Sequence, residues 1–464
     1  MSIEAGLPTG PGVGTSFAPH GPKALPILGH LFSLGKDTFG FLEQCEREYG
    51  EAVSLMLGAG WPTLMFNSSE LIEQVLVKQH MSFSKNSRFW RQVTALFGTG
   101  LLTSDGALWQ RQRKLAAPAF AGQRLLSYAP AMVGAAERTL ADWRDGQVVD
   151  IYPESMVLTL RVASKTLFNS DVDTEVAEMG EAMDQISDEI RARFTRPFLL
   201  PDSLPLPGHK RYRRGIEHVE KVVDRILAQR RSGDPDKGDF LSMLMLARDE
   251  SGEPMSDKQL RDEAVTLLLA GHETTALSMS WALLLLSRSL ETQDKVAAEL
   301  DAVVGDRQIR EEDLASLPFL EAVVMESMRL YPPVWVIGRE AKEDVQIRDI
   351  KVPRGTSVLV SAWVVQRSAR NFEAPTEFRP ERWAGDFRRK LPRYAYFPFG
   401  GGPRICIGMR FAMMETMLIL GTLLSRYRMV ATNHDPVEKI GSITLRPKNG
   451  VWVTLQERRK ALAA

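Results

Sequence analysis

The chain has 464 residues, of which 44% are hydrophobic and 25% are charged. This is ordinary globular composition, and it excludes a disordered chain, a collagen and a coiled coil. The 58 Lys and Arg residues balance 58 Asp and Glu residues, so the chain lacks the basic excess of a dedicated nucleic-acid binder. The only cysteines, Cys45 and Cys406, are too few for a disulfide scaffold, an all-cysteine zinc site or a four-thiolate iron–sulfur cluster.

The start of the chain carries no recognisable targeting signal. Residues 1–40 are rich in proline and glycine where a secretory signal needs a basic start and an apolar run. The most apolar stretches, residues 265–270 and 281–286, are interrupted by a polar insert and are shorter than a membrane-spanning helix. We therefore expect a soluble, cytoplasmic protein with no membrane span.

The first elements in chain order are a helix over residues 39–49 and a β-hairpin. The hairpin is predicted from two short apolar runs, residues 52–57 and 63–66, which are separated by glycines and a proline. Residues 71–330 are mostly helical in pattern and contain no internal repeat. Breaks in this helical pattern fall at residues 98–100, 196–208 and 232–238.

One predicted helix is unusually long. Ser256 and Gln259 form a capping-box pattern, and the apolar periodicity that follows continues to about residue 289. The helix would hold roughly 30 residues and span about 45 Å, enough to cross a whole domain. Its two apolar halves flank the polar insert at residues 271–275.

The C-terminal third is predicted to contain a second hairpin, formed by residues 345–350 and 356–362 across a Pro-Arg-Gly turn. The chain after the hairpin is irregular until a last helix begins near Cys406. The pattern as a whole predicts a mainly α fold with small β-sheets. We expect a proline- and glycine-rich leader over residues 1–30 and a single domain over residues 31–464.

A single cysteine lies in a glycine-rich loop directly before the last helix. Residues 399–408 read Phe-Gly-Gly-Gly-Pro-Arg-Ile-Cys-Ile-Gly. A thiolate at Cys406 would lie near the positive end of the helix dipole and could accept backbone N–H bonds, both of which lower its pKa. Because no second cysteine and no histidine at zinc-like spacing is nearby, a single thiolate ligand to a haem iron fits better than a zinc site.

The order Phe-x-x-Gly-x-Arg-x-Cys-x-Gly in this loop closely resembles the haem-binding loop of the cytochrome P450 family. The resemblance implies a single-domain fold in which a long central helix lies over haem b, iron protoporphyrin IX. It implies that Cys406 is the axial ligand of the iron. It also places Phe399, Arg404 and Gly408 against the haem.

Two further motifs extend the resemblance along the chain. Glu326 and Arg329 stand as Glu-x-x-Arg on a helix, and residues 378–383 read Phe-Arg-Pro-Glu-Arg-Trp. Alone, the first pair would be an ordinary surface pair. The resemblance implies that Glu326, Arg329 and Arg382 form a buried ion network that supports the haem face.

The polar insert of the long helix, Ala-Gly-His-Glu-Thr-Thr at residues 270–275, resembles the oxygen-binding segment of the family. Oxygen activation consumes protons, so a hydroxyl and a carboxylate must interrupt the apolar helix. The resemblance implies that Thr274 donates a hydrogen bond to the oxygen species, that Glu273 relays protons, and that Gly271 leaves room beside the haem. His272 points in another direction, and we expect it to be a spacer.

Four residues are expected to hold the haem propionates. Trp109 and Arg113 resemble the family's Trp-x-x-x-Arg helix, and the i, i+4 spacing puts both on one face. The resemblance places Arg339 and Arg404 as further propionate partners. Without the resemblance, each arginine would be read as solvated.

The regions that contact substrate in the family are apolar in this chain. They offer Phe89, Trp90, Phe97, Ala270, Val334, Trp335, Val336, Ile337 and Ile443. This lining predicts a hydrophobic substrate such as a fatty acid, a terpenoid or a polyketide. Core packing would explain each of these residues equally well. Cys45 is expected to be structural.

The resemblance implies a monooxygenase that inserts one oxygen atom from O2 into a C–H bond, with epoxidation as a secondary activity. Only 58 residues follow Cys406, so we expect electrons from a separate ferredoxin or flavodoxin with its NAD(P)H reductase. Docking is expected near Arg404 and Arg410. We expect a monomer that binds no nucleic acid.

Three alternatives remain open at this stage: a haem-thiolate peroxygenase, a haem-thiolate isomerase, and a non-catalytic haem gas sensor. The Glu273 and Thr274 pair favours O2 activation over the first two. A sensor would need an effector domain, for which the sequence shows no candidate.

Overall fold

Helices carry most of the chain. The computed structural model describes residues 19–58, 61–85, 87–91, 93–169, 176–195, 204, 206–232 and 236–458. Its α-helices are α1 Leu31–Lys36, α2 Thr38–Tyr49, α3 Ser69–Glu73, α4 Arg88–Arg91, α5 Thr94–Phe97, α6 Gly106–Ala116, α7 Gly122–Leu126, α8 Ala129–Asp142, α9 Ile151–Phe168, α10 Val176–Thr195, α11 Pro207–Ser232, α12 Phe240–Leu246, α13 Asp257–Arg288, α14 Leu290–Val303, α15 Pro318–Leu330, α16 Ala362–Val365, α17 Phe387–Lys390 and α18 Met409–Arg426. None of these described helices is long and apolar enough to cross a bilayer.

The strands form small sheets at the edges of the helical body. They are β1 Ala52–Met56, β2 Pro62–Phe66, β3 Phe83–Ser84, β4 Val148–Asp150, β5 Val336–Ala341, β6 Val345–Ile347, β7 Ile350–Val352, β8 Ser357–Ser361, β9 Tyr427–Ala431, β10 Lys439–Gly441, β11 Leu445–Pro447 and β12 Trp452–Glu457. The largest sheet has the order β1-β2-β8-β5-β3, with β2 and β8 parallel. The smaller sheets are β4-β12-β9, β10-β11 and β6-β7. The predicted fold class and the first predicted hairpin, β1 with β2, are confirmed.

The second predicted hairpin is wrong. The chain turns earlier, at Arg348, which adopts a left-handed φ of 55°, and β6 pairs with β7. Because Pro353 has no N–H to donate, pairing stops before it. The next apolar run becomes β8, which lies between β2 and β5 in the large sheet.

The described part of the expected leader is attached to the fold. Ser54 donates its backbone N–H to the carbonyl of His20 at 3.0 Å, and His30 donates its backbone N–H to the carbonyl of Met56 at 2.8 Å. The Nδ1 atom of His30 also accepts the Met56 N–H at 2.9 Å. Residues 20–30 are therefore bonded to β1, whereas residues 1–18 lie outside the described residues.

The long helix is confirmed as α13, with 32 residues, or about 48 Å. Its capping box is formed as predicted by Ser256 and Gln259. Both halves are buried in apolar clusters, and Trp281 stacks on Tyr331 with ring centroids 4.4 Å apart. This packing fixes the polar insert in the middle of the molecule.

The break predicted at residues 98–100 is a loop clamped onto α13. Asp262 accepts the backbone N–H and the hydroxyl of Thr99, and Glu263 accepts the Leu101 N–H at 3.0 Å. Gly98 has a φ of +55°, and a Cβ there would lie 2.3 Å from the Asp262 carboxyl group. Most of the break predicted at residues 196–208 lies outside the described residues. In the break predicted at residues 232–238, α11 ends at Ser232 and residues 233–235 lie outside the described residues.

Candidate haem and oxygen site

Cys406 lies in a tightly wound loop between a 3₁₀ turn at Gly402–Arg404 and α18. Its backbone N–H bonds to the carbonyl of Phe399 at 3.0 Å. Gly402 has a φ of +67°, and a Cβ there would lie 1.8 Å from the Leu76 carbonyl oxygen, so only glycine fits. The Cys406 side chain is nevertheless exposed, which presents its sulfur for ligation.

The protein residues around Cys406 raise the pKa of its thiol, whereas the sequence predicted a lower pKa. Burial of the sulfur among neighbouring atoms raises the pKa of Cys406, and the Gly408 N–H and Arg113 offset this only in part. Cys406 as a residue is nonetheless exposed to solvent, so the surrounding protein does not cover it completely. A bound iron cation would supply the charge that favours the thiolate.

Four cations converge near this loop. Arg404 donates to Asp105 at 2.6 Å and lies over the Trp109 ring at 4.4 Å. Arg339 is half-buried, and burial together with Arg404 lowers its pKa to about 10. The Lys85 ammonium lies over the Trp90 ring, 4.0 Å from the ring centroid. Burial holds the pKa of Lys85 well below its ordinary value.

The fourth cation is Arg113, which donates to the Ile405 carbonyl at 2.7 Å. Across the described ranges, Asp105 is the one carboxylate paired with any of the four cations. Burial lowers the pKa of Lys85, Arg339 and Arg404, and neighbouring cations lower it further, so a negatively charged group bound here would stabilise the cluster. The two carboxylates of a haem would supply this negative charge.

The opposite wall is the middle of α13. Residues Ala270, Gly271 and Thr274 are partly exposed, whereas most of the surrounding turns are buried. The i, i+1, i+4 spacing puts them on one face, so this face borders an opening. The Thr274 hydroxyl donates to the Ala270 carbonyl at 2.7 Å. Thr274 therefore offers lone pairs to the opening, and it must break this bond before it can donate as expected.

Glu273 points to the other side of α13, into a buried polar network. Its Oε1 accepts Arg446 Nε at 2.6 Å and the Thr444 hydroxyl at 2.5 Å. Burial alone would raise the pKa of Glu273, but Arg446 and Thr444 outweigh it and hold the pKa below its ordinary value. Arg446 also donates to Asp184 at 3.1 Å. The expected proton relay is thus an ionised carboxylate held away from the Thr274 face.

His272 is buried and uncharged. Burial lowers its pKa to about 4, and the backbone carbonyl of Met156 is its hydrogen-bond partner. This environment agrees with the expected role of spacer.

The expected ion network is present. Glu326, which is fully buried, accepts five N–H donors: two from Arg329, one from Arg382, one from the Trp383 indole, and the Arg379 backbone N–H. The distances lie between 2.8 and 3.0 Å. The network joins α15 to the segment that precedes the cysteine loop.

The candidate substrate-pocket residues divide into three groups. The half-buried ones are Trp90, Ala270, Val334, Val336, Ile337 and Ile443. Phe97 is 5% exposed and belongs to a core cluster. Trp335 packs edge-on against Phe39, and its indole donates to the Ser442 carbonyl at 3.0 Å, so its expected pocket role gains no support. The Phe89 side chain lies outside the described residues.

Sequence reasoning missed Lys85, Asp105, Thr444 and Arg446. Thr444 and Arg446 meet Glu273 from a strand region more than 170 residues away, at separations of 171 and 173. No local pattern signals such a contact. Lys85 could have been noticed as a cation close to the candidate pocket residues Phe89 and Trp90.

A groove of about 470 Å³ lies between the cysteine loop, α15 and α18. Its walls include Phe399, Ile405 and Arg410, together with Met325, Met409, Met413, Met414 and Met417. Arg410 is exposed, as expected for a docking residue. Arg404, the other expected docking residue, is turned inward onto Asp105 and Trp109.

Comparison with known proteins gives a consistent family match. A family model described as cytochrome P450 matches residues 19–453. A pentalenene oxygenase of Streptomyces avermitilis is 32% identical over 429 residues, covering 91% of this chain and 94% of the relative. A cyclooctat-9-en-7-ol 5-monooxygenase of Streptomyces melanosporofaciens is 34% identical over 410 residues, covering 88% of each chain.

A solved structure of the cyanobacterial protein CYP120A1 with retinoic acid bound shares the fold. Its TM-score is 0.84 at 26% identity, and the alignment covers 95% of this chain and 99% of that one. The fold that contains the long helix, the cysteine loop and the small sheets is therefore the fold of that solved structure.

Proposed function

The chain belongs to the cytochrome P450 family, and from that membership we propose which of its residues hold the haem and which class of substrate it takes. It is an oxidoreductase of the P450 type that hydroxylates hydrophobic small molecules. The single observation that carries the residue assignment is Cys406, presented in a wound loop beside four cations, of which Arg404 alone has a carboxylate partner among the described residues.

The proposed cofactor is haem b, with Cys406 as the axial ligand of its iron. Trp109, Arg113, Arg339 and Arg404, together with Lys85, would hold its propionates. Phe399 and Gly408 would lie against the ring on the cysteine side, and Glu326, Arg329 and Arg382 would support that side from behind. Haem with a thiolate ligand supplies the cleavage of O2 and the insertion of one oxygen atom.

Proton supply is the task proposed for Thr274 and Glu273. The Thr274 hydroxyl, with its hydrogen on the Ala270 carbonyl, would hold a water molecule by accepting a hydrogen bond from it. Glu273 is ionised in its network, so it takes up a proton only when Arg446 and Thr444 release it. Rotation of Glu273 is therefore a step in the proposed relay.

The proposed substrate class is the terpenoids. The half-buried lining residues are apolar, and the relatives act on pentalenene and on cyclooctat-9-en-7-ol by name, while the solved relative binds retinoic acid.

Electrons would come from a ferredoxin or flavodoxin with its NAD(P)H reductase, docked over the groove beside Arg410. A monomer and a cytoplasmic location stay predictions. We place the start of the domain at about residue 19, because residues 20–30 bond to β1.

The test is the absorption spectrum of the reduced protein exposed to carbon monoxide, with Cys406→Ser alongside. A strongly red-shifted Soret band that the variant lacks is expected for haem on the Cys406 thiolate. A Soret band unchanged by the substitution would overturn the ligand assignment. Addition of pentalenene should then shift the Soret band of the oxidised protein, whereas a fatty acid of similar size should shift it less.

A further inference from the structure

Residues 97–101, here called the clamped loop, are held against α13 by two consecutive carboxylates. Oδ2 of Asp262 accepts the backbone N–H of Thr99 at 2.9 Å and its hydroxyl at 3.0 Å. Oε2 of Glu263 accepts the Leu101 N–H at 3.0 Å. The loop lies so close to the helix that a Cβ on Gly100 would be 2.2 Å from the Thr266 hydroxyl oxygen.

The clamped loop covers one end of the helix face that borders the opening beside Thr274. Glu263 lies seven residues before Ala270, which is two turns or about 10.5 Å, so the two residues occupy the same face of α13. Ala270 and Thr274 are partly exposed on this face, whereas Glu263 is fully buried. Because the loop is bonded to Glu263 itself, it closes the face two turns before the opening begins.

The clamped loop also connects the candidate pocket to the cation cluster. At its start, Phe97 belongs to the same core cluster as several apolar residues of α13. Beyond its end, the Ser104 carbonyl and the Asp105 carboxylate both accept hydrogen bonds from Arg404, at 2.9 and 2.6 Å. A shift of the loop would therefore move Phe97 relative to α13 and Asp105 relative to Arg404.

Stability does not explain the carboxyl group of Glu263. Burial raises its pKa to about 7. Within the described residues it has one donor, the Leu101 N–H, and its other oxygen, Oε1, is buried without a hydrogen-bond partner. Desolvation opposes this single hydrogen bond, so the group adds little net stability, and a methionine would fill a similar volume without a buried polar group. What the carboxyl group provides is the position of the Leu101 backbone.

We propose that Asp262 and Glu263 are positioning residues, which hold the clamped loop across the end of the opening and thereby set the affinity for ligands that fill it. The proposal rests on the proposed function, because it takes the opening beside Thr274 as the substrate site. A loop that is fixed before binding loses less conformational entropy when a ligand packs on it, so binding is tighter. The two carboxylates act through the loop, and they take no part in proton supply.

The test is the binding of two azoles to the haem-loaded full chain at pH 8, above the pKa of Glu263. Imidazole and 4-phenylimidazole both shift the Soret band when their nitrogen binds the iron, but only the second brings an apolar ring that must pack in the opening. Glu263→Met should weaken 4-phenylimidazole about tenfold, as expected when one hydrogen bond to a charged group is lost, and imidazole less than about twofold. Glu263→Gln keeps an oxygen that can accept the Leu101 N–H, so its affinity for 4-phenylimidazole should stay within about threefold of the wild type.

Hydrogen exchange measures the position of the loop directly. In Glu263→Met the Leu101 amide should exchange at least about tenfold faster than in the wild type, because its acceptor is lost. The exchange of amides in α18 should not change, which will show that the opening is local.

Gly98→Ala breaks the same clamp from the side of the loop. Gly98 has a φ of +55°, and a Cβ there would lie 2.3 Å from the Asp262 carboxyl group. We expect this variant to weaken 4-phenylimidazole about as much as Glu263→Met does. Gly122→Ala is the matched control, because Gly122 has a φ of +54° but a Cβ there would meet nothing within 4 Å. It should bind both azoles like the wild type.

Glu299→Met is the matched control for Glu263→Met. Glu299 accepts the backbone N–H groups of Phe319 and Leu320 at 2.8 and 2.9 Å, and it joins α14 to α15, neither of which carries a candidate pocket residue. This variant removes a comparable carboxylate without touching the clamped loop. It should therefore leave the affinity for both azoles unchanged even where it lowers stability.

Three results would overturn the proposal. The first is a 4-phenylimidazole affinity in Glu263→Met and Gly98→Ala that equals that of the wild type. The second is an equal loss of affinity for both azoles, since the change would then lie at the haem and not at the loop. The third is unchanged exchange of the Leu101 amide in Glu263→Met. A wild type whose Soret band responds to neither azole would instead contradict the site assignment of the proposed function, on which this proposal rests.

Discussion

Arg446 donates its Nε hydrogen to Oε1 of Glu273 across 2.6 Å, and the two side chains are only 7% and 9% exposed. A carboxylate this deeply buried is ionised because a guanidinium lies against it. The pair joins the polar insert of α13 to β11. The residue expected to deliver protons therefore also anchors the hairpin of β10 and β11.

Replacing Arg446 by Gln should reverse the sign of the contribution that Glu273 makes to the pH dependence of the unfolding free energy. In the wild type the depressed pKa of Glu273 adds stability above its unfolded pKa of about 4.3, and this is lost as pH falls. In the variant, burial is no longer offset, so the pKa rises and stability falls as pH increases above about 4.3. The deficit should grow from pH 5 to pH 8 towards about 3 to 5 kcal/mol.

Urea unfolding at both pH values measures this deficit. Thr444→Val removes one hydrogen bond to the same oxygen and keeps the charge, so it should cost about 1 kcal/mol with much less dependence on pH. Equal losses of unfolding free energy at pH 5 and pH 8 for Arg446→Gln would show that Arg446 does not set the pKa of Glu273.

Replacing Glu326 by Gln should destabilise the fold strongly. The change leaves Arg329 and Arg382 buried without a compensating charge, which costs about 3 to 5 kcal/mol. We also expect faster haem loss, because the network supports the segment before the cysteine loop. Glu321→Gln is the control, since Glu321 lies on the same helix but is 45% exposed and 3.7 Å from Arg388. If both variants unfold at the same urea concentration, the network is not a major source of stability.

The sequence predicted what depends on local spacing. The Cys406 loop, the capped helix α13 and the hairpin of β1 with β2 follow from turn residues, caps and periodicity. The contact of Glu326 with Arg382 spans 56 residues, and only the family resemblance predicted it.

What failed depended on tertiary context. Pairing of β8 with two other strands could not be read from its own residues, and it replaced the second predicted hairpin. The direction of the Cys406 pKa was wrong because burial outweighs the nearby N–H donor and Arg113. Arg446 was missed because nothing local connects it to Glu273.

Lys85→Met tests the cation cluster. If Lys85 holds a haem propionate, its loss should speed haem transfer to an acceptor apoprotein about tenfold, equivalent to about 1.4 kcal/mol. The control is Lys114→Met, because Lys114 is 71% exposed and pairs with Glu250 on the surface. Equal transfer rates for the two variants would remove Lys85 from the site.

Thr274→Ala should leave the reduced carbon monoxide spectrum unchanged and divert electrons from product to hydrogen peroxide. The hydroxyl is the polar group on the open face of α13, and without it proton delivery is no longer directed. The ratio of product to consumed NAD(P)H measures the effect. Thr275→Val is the control, because the Thr275 hydroxyl bonds to Gly271 at 3.2 Å and the residue is buried. Full coupling in Thr274→Ala would argue against the assigned role.

Glu415 on α18 should be protonated at neutral pH. Burial raises its pKa to about 8. The neighbouring Thr275 hydroxyl gives its hydrogen to the Gly271 carbonyl, and no described residue donates to either Glu415 oxygen. Thr275 therefore offsets the effect of burial on the pKa of Glu415 only in part.

Glu415→Gln should therefore be tolerated, and the comparison with wild type should depend on pH. Because the folded pKa lies above the unfolded value of about 4.3, the wild type loses stability as pH rises from 4.3 to about 8, whereas the amide does not titrate. The unfolding free energy of the variant should gain on that of the wild type across this range, by at most about 5 kcal/mol, and level off above it. Burial also raises the pKa of Glu263, to about 7, but this group is common to both proteins and cancels in the difference. A difference that stays flat from pH 5 to pH 9 would show that Glu415 is ionised in the folded protein.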